Sequence, residues 1–161
     1  MKIGIDASIL ARKKITGINR FLQNLLKYLP EIDKKNEYYL FSLCALREYK
    51  NKGFNVISIG ENNILPPEYY FPIWLNFVLP IALSKFKPDI FFQPNHFLPL
   101  FYNNKNIKSV ITIPDLIPKI NLKYRESIYK FFLNVSLPAS IKKSQAIITI
   151  SKNSKRDIIK F

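Results

Sequence analysis

Cysteine and histidine are nearly missing from this sequence: Cys44 and His96 are the only ones in 161 residues. A single thiol excludes an intramolecular disulfide framework and any multi-cysteine zinc site, and a single imidazole excludes HExxH and His-triad arrangements. So little cysteine fits a reducing compartment. Glycine is scarce as well, at four residues, and neither GxGxxG nor GxxxxGK[ST] occurs, so no nucleotide site can be assigned from local motif alone. Acids number 11 against 25 Lys and Arg. No two of them stand at a spacing that demands glycosidase-type or aspartyl chemistry, and there is no nucleophile elbow. Long apolar runs are absent too. The longest nearly uncharged stretch, residues 69–83, falls short of the roughly 20 residues of a spanning helix and contains Pro72 and Pro80. The apolar run before Asp6 is too short for a signal peptide. Neither a transmembrane helix nor export is predicted.

What is present argues for a folded domain. The chain is 48% hydrophobic, with 13 Phe, 9 Tyr and 1 Trp, and at this length it can bury roughly 70% of the surface its unfolded form exposes. Its net charge of +14 biases association toward phosphates, anionic lipid or nucleic acid. The richness in Lys, Ile and Asn also arises from compositional bias without selection for a partner, so the charge names a class of partner and no more.

Short apolar runs alternate with amphipathic ones. Strands are predicted over 2–6, 38–43, 54–59 (closed by Gly60), 89–93, 108–113 and 145–150. Ile18, Phe21, Leu22, Leu25, Leu26 and Leu29 share one helical face, which predicts a helix capped by Thr16 and ended by Pro30. A short helix is expected over 45–51. Residues 70–86 are apolar almost all round, as in a helix buried on several sides or docked on lipid or a partner, and Pro80 is expected to bend it. Further helices are predicted over 124–143 and from Ser151 to Phe161. Apolar strands alternating with helices, without strict in-out alternation, predict one open, mostly parallel, doubly wound α/β domain over 1–161. No internal repeat, linker or second domain is seen.

In such sheets ligands sit beyond the carboxyl ends of the strands. The basic loop before Thr16 and Gly17 leads into a helix N-terminus, where free amides and the helix dipole favour an anion and a glycine admits a phosphate close to the backbone. Asn95 and His96 stand at the end of the fourth strand, either as ligand contacts or as structural hydrogen-bonders. Asp115, after the fifth, can bind a sugar hydroxyl, orient a partner or cap its loop. Ser151 reads first as a helix cap.

Four blocks in order carry a resemblance over essentially the whole chain. They are residues 1–7 with Thr16-Gly17-Ile18-Asn19-Arg20-Phe21; residues 88–95 with Leu98-Pro99; residues 110–118; and residues 146–154. Together the chain resembles the N-terminal domain of retaining, nucleotide-sugar-dependent GT-B glycosyltransferases of family 4, group 1. The resemblance implies a Rossmann-like sheet and hexosyl transfer to a cell-surface polysaccharide, lipopolysaccharide or other lipid-linked acceptor. The nucleotide sugar is substrate, with no cofactor and no metal. Thr16, Gly17, Asn95, His96, Asp115 and Ser151 are the candidate substrate-binding residues, and no catalytic residue is assigned. The family predicts a cytoplasmic protein, peripheral at an anionic inner membrane face. Two departures stand out. Pro114 replaces the imidazole of the family's His-Asp pair, leaving open a substitution by His96. The chain also stops at Phe161, ahead of any second α/β domain, which predicts a half-enzyme that is inactive alone and needs a donor-binding domain or second chain. A basic nucleic-acid-binding module is the alternative from another class, but the aromatics fall mostly at periodic core positions and no nucleic-acid motif is present. A non-catalytic subunit or remnant is a third reading.

Overall fold

Six parallel strands form a single sheet: β1 (Lys2–Asp6), β2 (Glu37–Ser42), β3 (Asn55–Ser58), β4 (Ile90–Gln93), β5 (Lys108–Thr112) and β6 (Ala146–Ile148). Their order is β3-β2-β1-β4-β5-β6. The computed structural model describes residues 1–12, 15–59, 71–101, 106–116 and 130–160. Within these residues the sheet is wholly parallel, open and doubly wound, as the alternation of apolar runs and helices predicts. The predicted closure by Gly60 and the start of the helix expected at 124 lie outside the described residues.

Helices cover both faces, which is why the strands carry apolar side chains on both sides. One face packs α1 (Gly17–Ile32) and α2 (Arg47–Lys50) through Leu22, Leu26 and Tyr49 onto Ile5, Leu40 and Phe92. On the other face, α3 (Leu79–Phe86) and α4 (Leu137–Lys143) bury Leu79, Leu83 and Leu137 against Phe41, Phe91 and Ile111. Each fully buried Leu contributes roughly 1.5–3 kcal/mol. Phe41, Phe91, Phe97 and Trp74 are fully enclosed, so they are core side chains and offer no surface on which a base could stack. Gly4 is required by proximity: a Cβ there would stand 2.7 Å from the Phe41 ring and 3.2 Å from Pro88.

Two helix details differ from expectation. Pro30 does not end α1, which runs on to Ile32 and closes with the Asp33 N–H donating to Leu29 O at 3.0 Å. A proline in the last turn removes one helical hydrogen bond, and little helix remains beyond it to disrupt. Ahead of Pro80, where a bend is expected, the helix widens into a π turn, Trp74–Val78, closed by the Leu79 N–H donating to Trp74 O, a feature that the sequence reading did not foresee. The same device precedes Pro138, as the π turn Phe132–Ser136 closed by Leu137 N–H on Phe132 O. A proline lacks the N–H and crowds the carbonyl four residues back, and an i→i+5 turn relieves both conflicts. Behind this lies a local likeness too short to register as a repeat: aromatic-Leu-Asn-x-x-Leu-Pro occurs at 74–80 and again at 132–138. The last helix, α5 (Lys152–Lys160), follows Ser151, whose Oγ accepts from the Ser154 N–H at 3.0 Å.

Candidate functional site

The strand order reverses between β1 and β4, and a cleft of about 720 Å³ opens beyond the carboxyl ends of the strands. Its wall brings together Thr16 and Gly17 from the start of α1, Asn95 and His96 after β4, and Asp115 after β5. Ser151 is not on the wall: it caps α5, while its neighbour Ile150 does line the cleft. Two further polar residues join them, Arg12 and Thr112. Arg12 could have been picked from the basic loop. Thr112 had no signal, because its role depends on what faces it.

Asn19 fixes the first loop against α1. Its Nδ2 donates to Ile9 O at 2.7 Å, its Oδ1 accepts from the Thr16 N–H at 3.1 Å, and the Asn19 N–H donates back to Thr16 Oγ1. This capping box leaves the Gly17 and Ile18 amides at the helix N-terminus, where the dipole favours negative charge. A Cβ on Gly17 would meet nothing within 4 Å, so packing does not require a glycine there. The missing side chain leaves room in the cleft. The Arg12 guanidinium lies over the Phe71 ring, 5.6 Å from its centroid. Thr112 lines the same space, and its Oγ1 is buried and has no hydrogen-bond partner among the described residues.

His96 joins two of the cleft's loops. Its N–H donates to Asn95 Oδ1 at 2.8 Å, which fixes that amide with its oxygen toward the histidine. The ring Nδ1 faces the same oxygen at 2.9 Å and Nε2 faces the Asp115 carbonyl at 3.2 Å. Both neighbours are acceptors. A neutral ring carries one N–H and satisfies one of them, whereas an imidazolium satisfies both. Burial lowers the pKa below the ordinary 6.5, against which the Asp115 carbonyl and carboxylate push upward. With both nitrogens turned to protein acceptors, His96 clasps the two loops together.

Beneath the cleft lies the buried carboxyl of Asp6, at the end of β1. Its Oδ1 accepts from the Ser8 N–H at 3.0 Å and from Trp74 Nε1 at 3.1 Å, and its Oδ2 accepts from Gln93 Nε2 at 2.9 Å. Burial raises its pKa above 3.8, and these hydrogen bonds oppose the rise. Asp6, Gln93 and Arg12 border a hollow of about 10 Å³. Among the described residues no group of three or more His, Cys, Asp or Glu is placed to hold a metal ion.

An open, doubly wound parallel α/β sheet with a cleft at its topological switch point, faced by a helix N-terminus and an arginine, is the Rossmann-like class of domain that the fold defines. The sequence model of Glycosyltransferase Family 4 matches residues 15–161, and the chain belongs to that family. No curated protein and no solved structure matches it. Among the described residues no helix is long and apolar enough to cross a membrane.

Proposed function

We propose that this domain forms the acceptor-side wall of a GT-B, retaining hexosyltransferase, facing a second α/β domain that grips the nucleotide. The supporting observation is the convergence of Arg12, Thr16, Gly17, Asn95, His96, Thr112 and Asp115 on one cleft. In the transfer step the bond from the sugar's anomeric carbon to the diphosphate oxygen breaks. The acceptor oxygen bonds that carbon on the same face, and the acceptor proton leaves with the diphosphate. Charge builds on the departing diphosphate, so fixed donors aimed at it lower the barrier. The Arg12 guanidinium and the Gly17 and Ile18 amides supply such donors, while Asp115 serves the sugar hydroxyls. The acceptor is a lipid-linked or cell-surface glycan, met by a cytoplasmic protein at the inner membrane face.

Titrating the purified chain with a nucleoside diphosphate, and separately with pyrophosphate, while following backbone amide shifts tests this reading. Shifts centred on Gly17 and Ile18 are expected. Arg12→Gln should weaken binding about tenfold or more, since a charge-assisted hydrogen bond contributes roughly 1.5–3 kcal/mol. Gly17→Ala should weaken it too while leaving stability unchanged or improved by up to about 1 kcal/mol. Shifts elsewhere on the sheet, or full binding by both variants, would overturn the assignment of the diphosphate to this wall.

A further inference from the structure

Away from the cleft, β3 forms one edge of the sheet. It pairs with β2 in parallel register, from Tyr39 opposite Asn55 to Ser42 opposite Ser58, and the Ile59 N–H continues the ladder by donating to Ser42 O at 2.9 Å. In a parallel ladder alternate residues turn their backbone groups toward the neighbouring strand. With Ile59 directed at β2, Ile57 and Asn55 are directed there too, so the N–H and C=O of Val56 and Ser58 face outward. Among the described residues no strand or loop pairs with that side. β3 also carries neither lysine nor proline, two of the residues that keep exposed edges from pairing.

A hollow of about 260 Å³ lies along this edge, lined by Ala45, Leu46, Arg47, Lys50, Val56 and Ser58. It shares no residue with the cleft. Val56 and Ser58 are two apart in the strand, so their side chains lie on the same face, and Val56 packs into the core cluster that holds Leu46 and Tyr49. Ser58 Oγ is buried and has no hydrogen-bond partner among the described residues. None of the lining residues is acidic, and Glu48, the one acid of α2, is not on the wall.

Charge and spacing select the occupant. Arg47 and Lys50 are three apart on α2, which sets their Cβ atoms about 5–6 Å from each other. Side chains on one face of a strand recur about every 6.6 Å, so carboxylates two residues apart on an added strand would meet both cations. A small anion would engage the cations but leave the outward carbonyls of Val56 and Ser58 unused. A second copy of the chain would bring its own Arg47 and Lys50, an acid-free β3 and the same +14, so edge-to-edge pairing of two copies is opposed by repulsion. We infer that the open edge of β3 takes an extended acidic peptide, with acids at alternate positions, as a further strand of the sheet. Its backbone pairs with Val56 and Ser58, and its carboxylates meet Arg47 and Lys50. This site stands apart from the transferase reading and does not depend on it.

Fluorescence anisotropy of the full chain with a labelled Glu-Val-Glu-Val-Glu peptide tests it. Binding is expected, weakening as salt rises, together with slower hydrogen exchange at the Val56 and Ser58 amides. A Lys-Val-Lys-Val-Lys peptide should not bind, and the acidic peptide N-methylated at every amide should bind at least fivefold more weakly, because it cannot donate to the edge carbonyls. Arg47→Gln with Lys50→Gln should weaken binding roughly tenfold. Ser58→Pro, which removes an outward N–H and leaves the β2 pairing intact, should weaken it roughly fivefold. Lys155→Gln with Arg156→Gln removes the same charge from α5, on the far side of the sheet, and should change binding less than twofold. No binding by the acidic peptide, equal binding by the lysine peptide, or equal loss in the Lys155/Arg156 variant would each overturn the site. Full binding by the N-methylated peptide, or its displacement by an equal concentration of pyrophosphate, would reduce it to a small-anion site and overturn the added strand. A dimer in peptide-free solution that Ser58→Pro dissolves would give the edge to a second copy. Diphosphate-induced shifts at Gly17 in the Arg47/Lys50 variant separate the two proposals: retained shifts without peptide binding to the wild-type chain defeat only the added strand, and peptide binding without those shifts defeats only the transferase reading.

Discussion

The two segments around Pro80 and Pro138 start from nearly the same local sequence and adopt the same backbone, yet they do different work in the fold. Each widens into a five-residue π turn, and each closes it with a leucine N–H directed five residues back. Beyond that they diverge. The first presents Trp74, whose indole reaches Asp6, and Ala82 in the apolar core. At the equivalent places the second has Phe132, whose ring centroid lies 5.4 Å from that of Phe97, and Ser140, whose Oγ accepts from the Leu98 N–H at 2.8 Å and donates to Ser136 O at 2.6 Å. Proline sets the backbone locally. The sheet position behind each helix determines which side chains are needed: a polar anchor under the cleft for the first, and a holder for the loop after β4 for the second.

Cutting back the two aromatics should separate the segments most. Trp74→Ala is expected to cost about 5 kcal/mol and Phe132→Ala about 3 kcal/mol in chemical denaturation, the ends of the usual range for such truncations. The indole side chain is fully enclosed and its loss also leaves Asp6 one donor short. Equal losses would break the comparison. Next, Ser140→Ala leaves the Leu98 N–H buried without a partner and should cost roughly 1–3 kcal/mol, with faster hydrogen exchange at Leu98 and Leu100. Exchange unchanged at both amides would mean that the loop does not depend on this hydroxyl.

Acid and base should then act in opposite directions on the two regions. His96 has its folded pKa below 6.5, so the unfolded chain takes up a proton first on acidification. Its contribution to stability is present above pH 6.5 and is lost as pH falls from there through the folded pKa. Asp6 has its folded pKa above 3.8, so its contribution is present below pH 3.8 and is lost as pH rises through the folded value. Being the only histidine, His96 can be read directly from its ring proton shift, and a midpoint at or above 6.5 would contradict this picture. Asp6→Asn should abolish the loss on the rising side, with the Gln93 amide turned over so that its Oε1 accepts from the new amide where Nε2 now donates to Asp6. Smallest of all, Pro80→Ala and Pro138→Ala should change stability by no more than about 1 kcal/mol while restoring α-helical hydrogen bonding. A π turn that persists in either variant would assign the widening to packing and not to proline.

The sheet was legible because burial on both faces leaves near-continuous apolar runs, and the Thr16 cap because capping is a local exchange of hydrogen bonds. Thr16, Gly17, Asn95, His96 and Asp115 could be chosen from strand ends alone, and the structure places all five on one wall. The rest depended on distant chain. Asp6 looked like the end of an apolar strand, since its partners Trp74 and Gln93 lie 68 and 87 residues away. Thr112 was passed over because a hydroxyl without a partner can be recognised only once its surroundings are known. The apolar 70–86 stretch concealed a division that only packing reveals, with one side of the helix in the core and the other in the open.

The pairing of β1 with β4 also has a meaning for the chain during its synthesis. The end of β1 cannot meet Gln93 until 87 further residues have been added, a wait of roughly 4–17 s at the 5–20 residues per second of translation. Through that interval the first strand can recruit β2 but has an unsatisfied edge on its other side, the kind of edge on which neighbouring nascent chains pair wrongly. Mutual repulsion between strongly cationic chains, or a chaperone bound to the growing end, would guard the strand until its proper neighbour arrives.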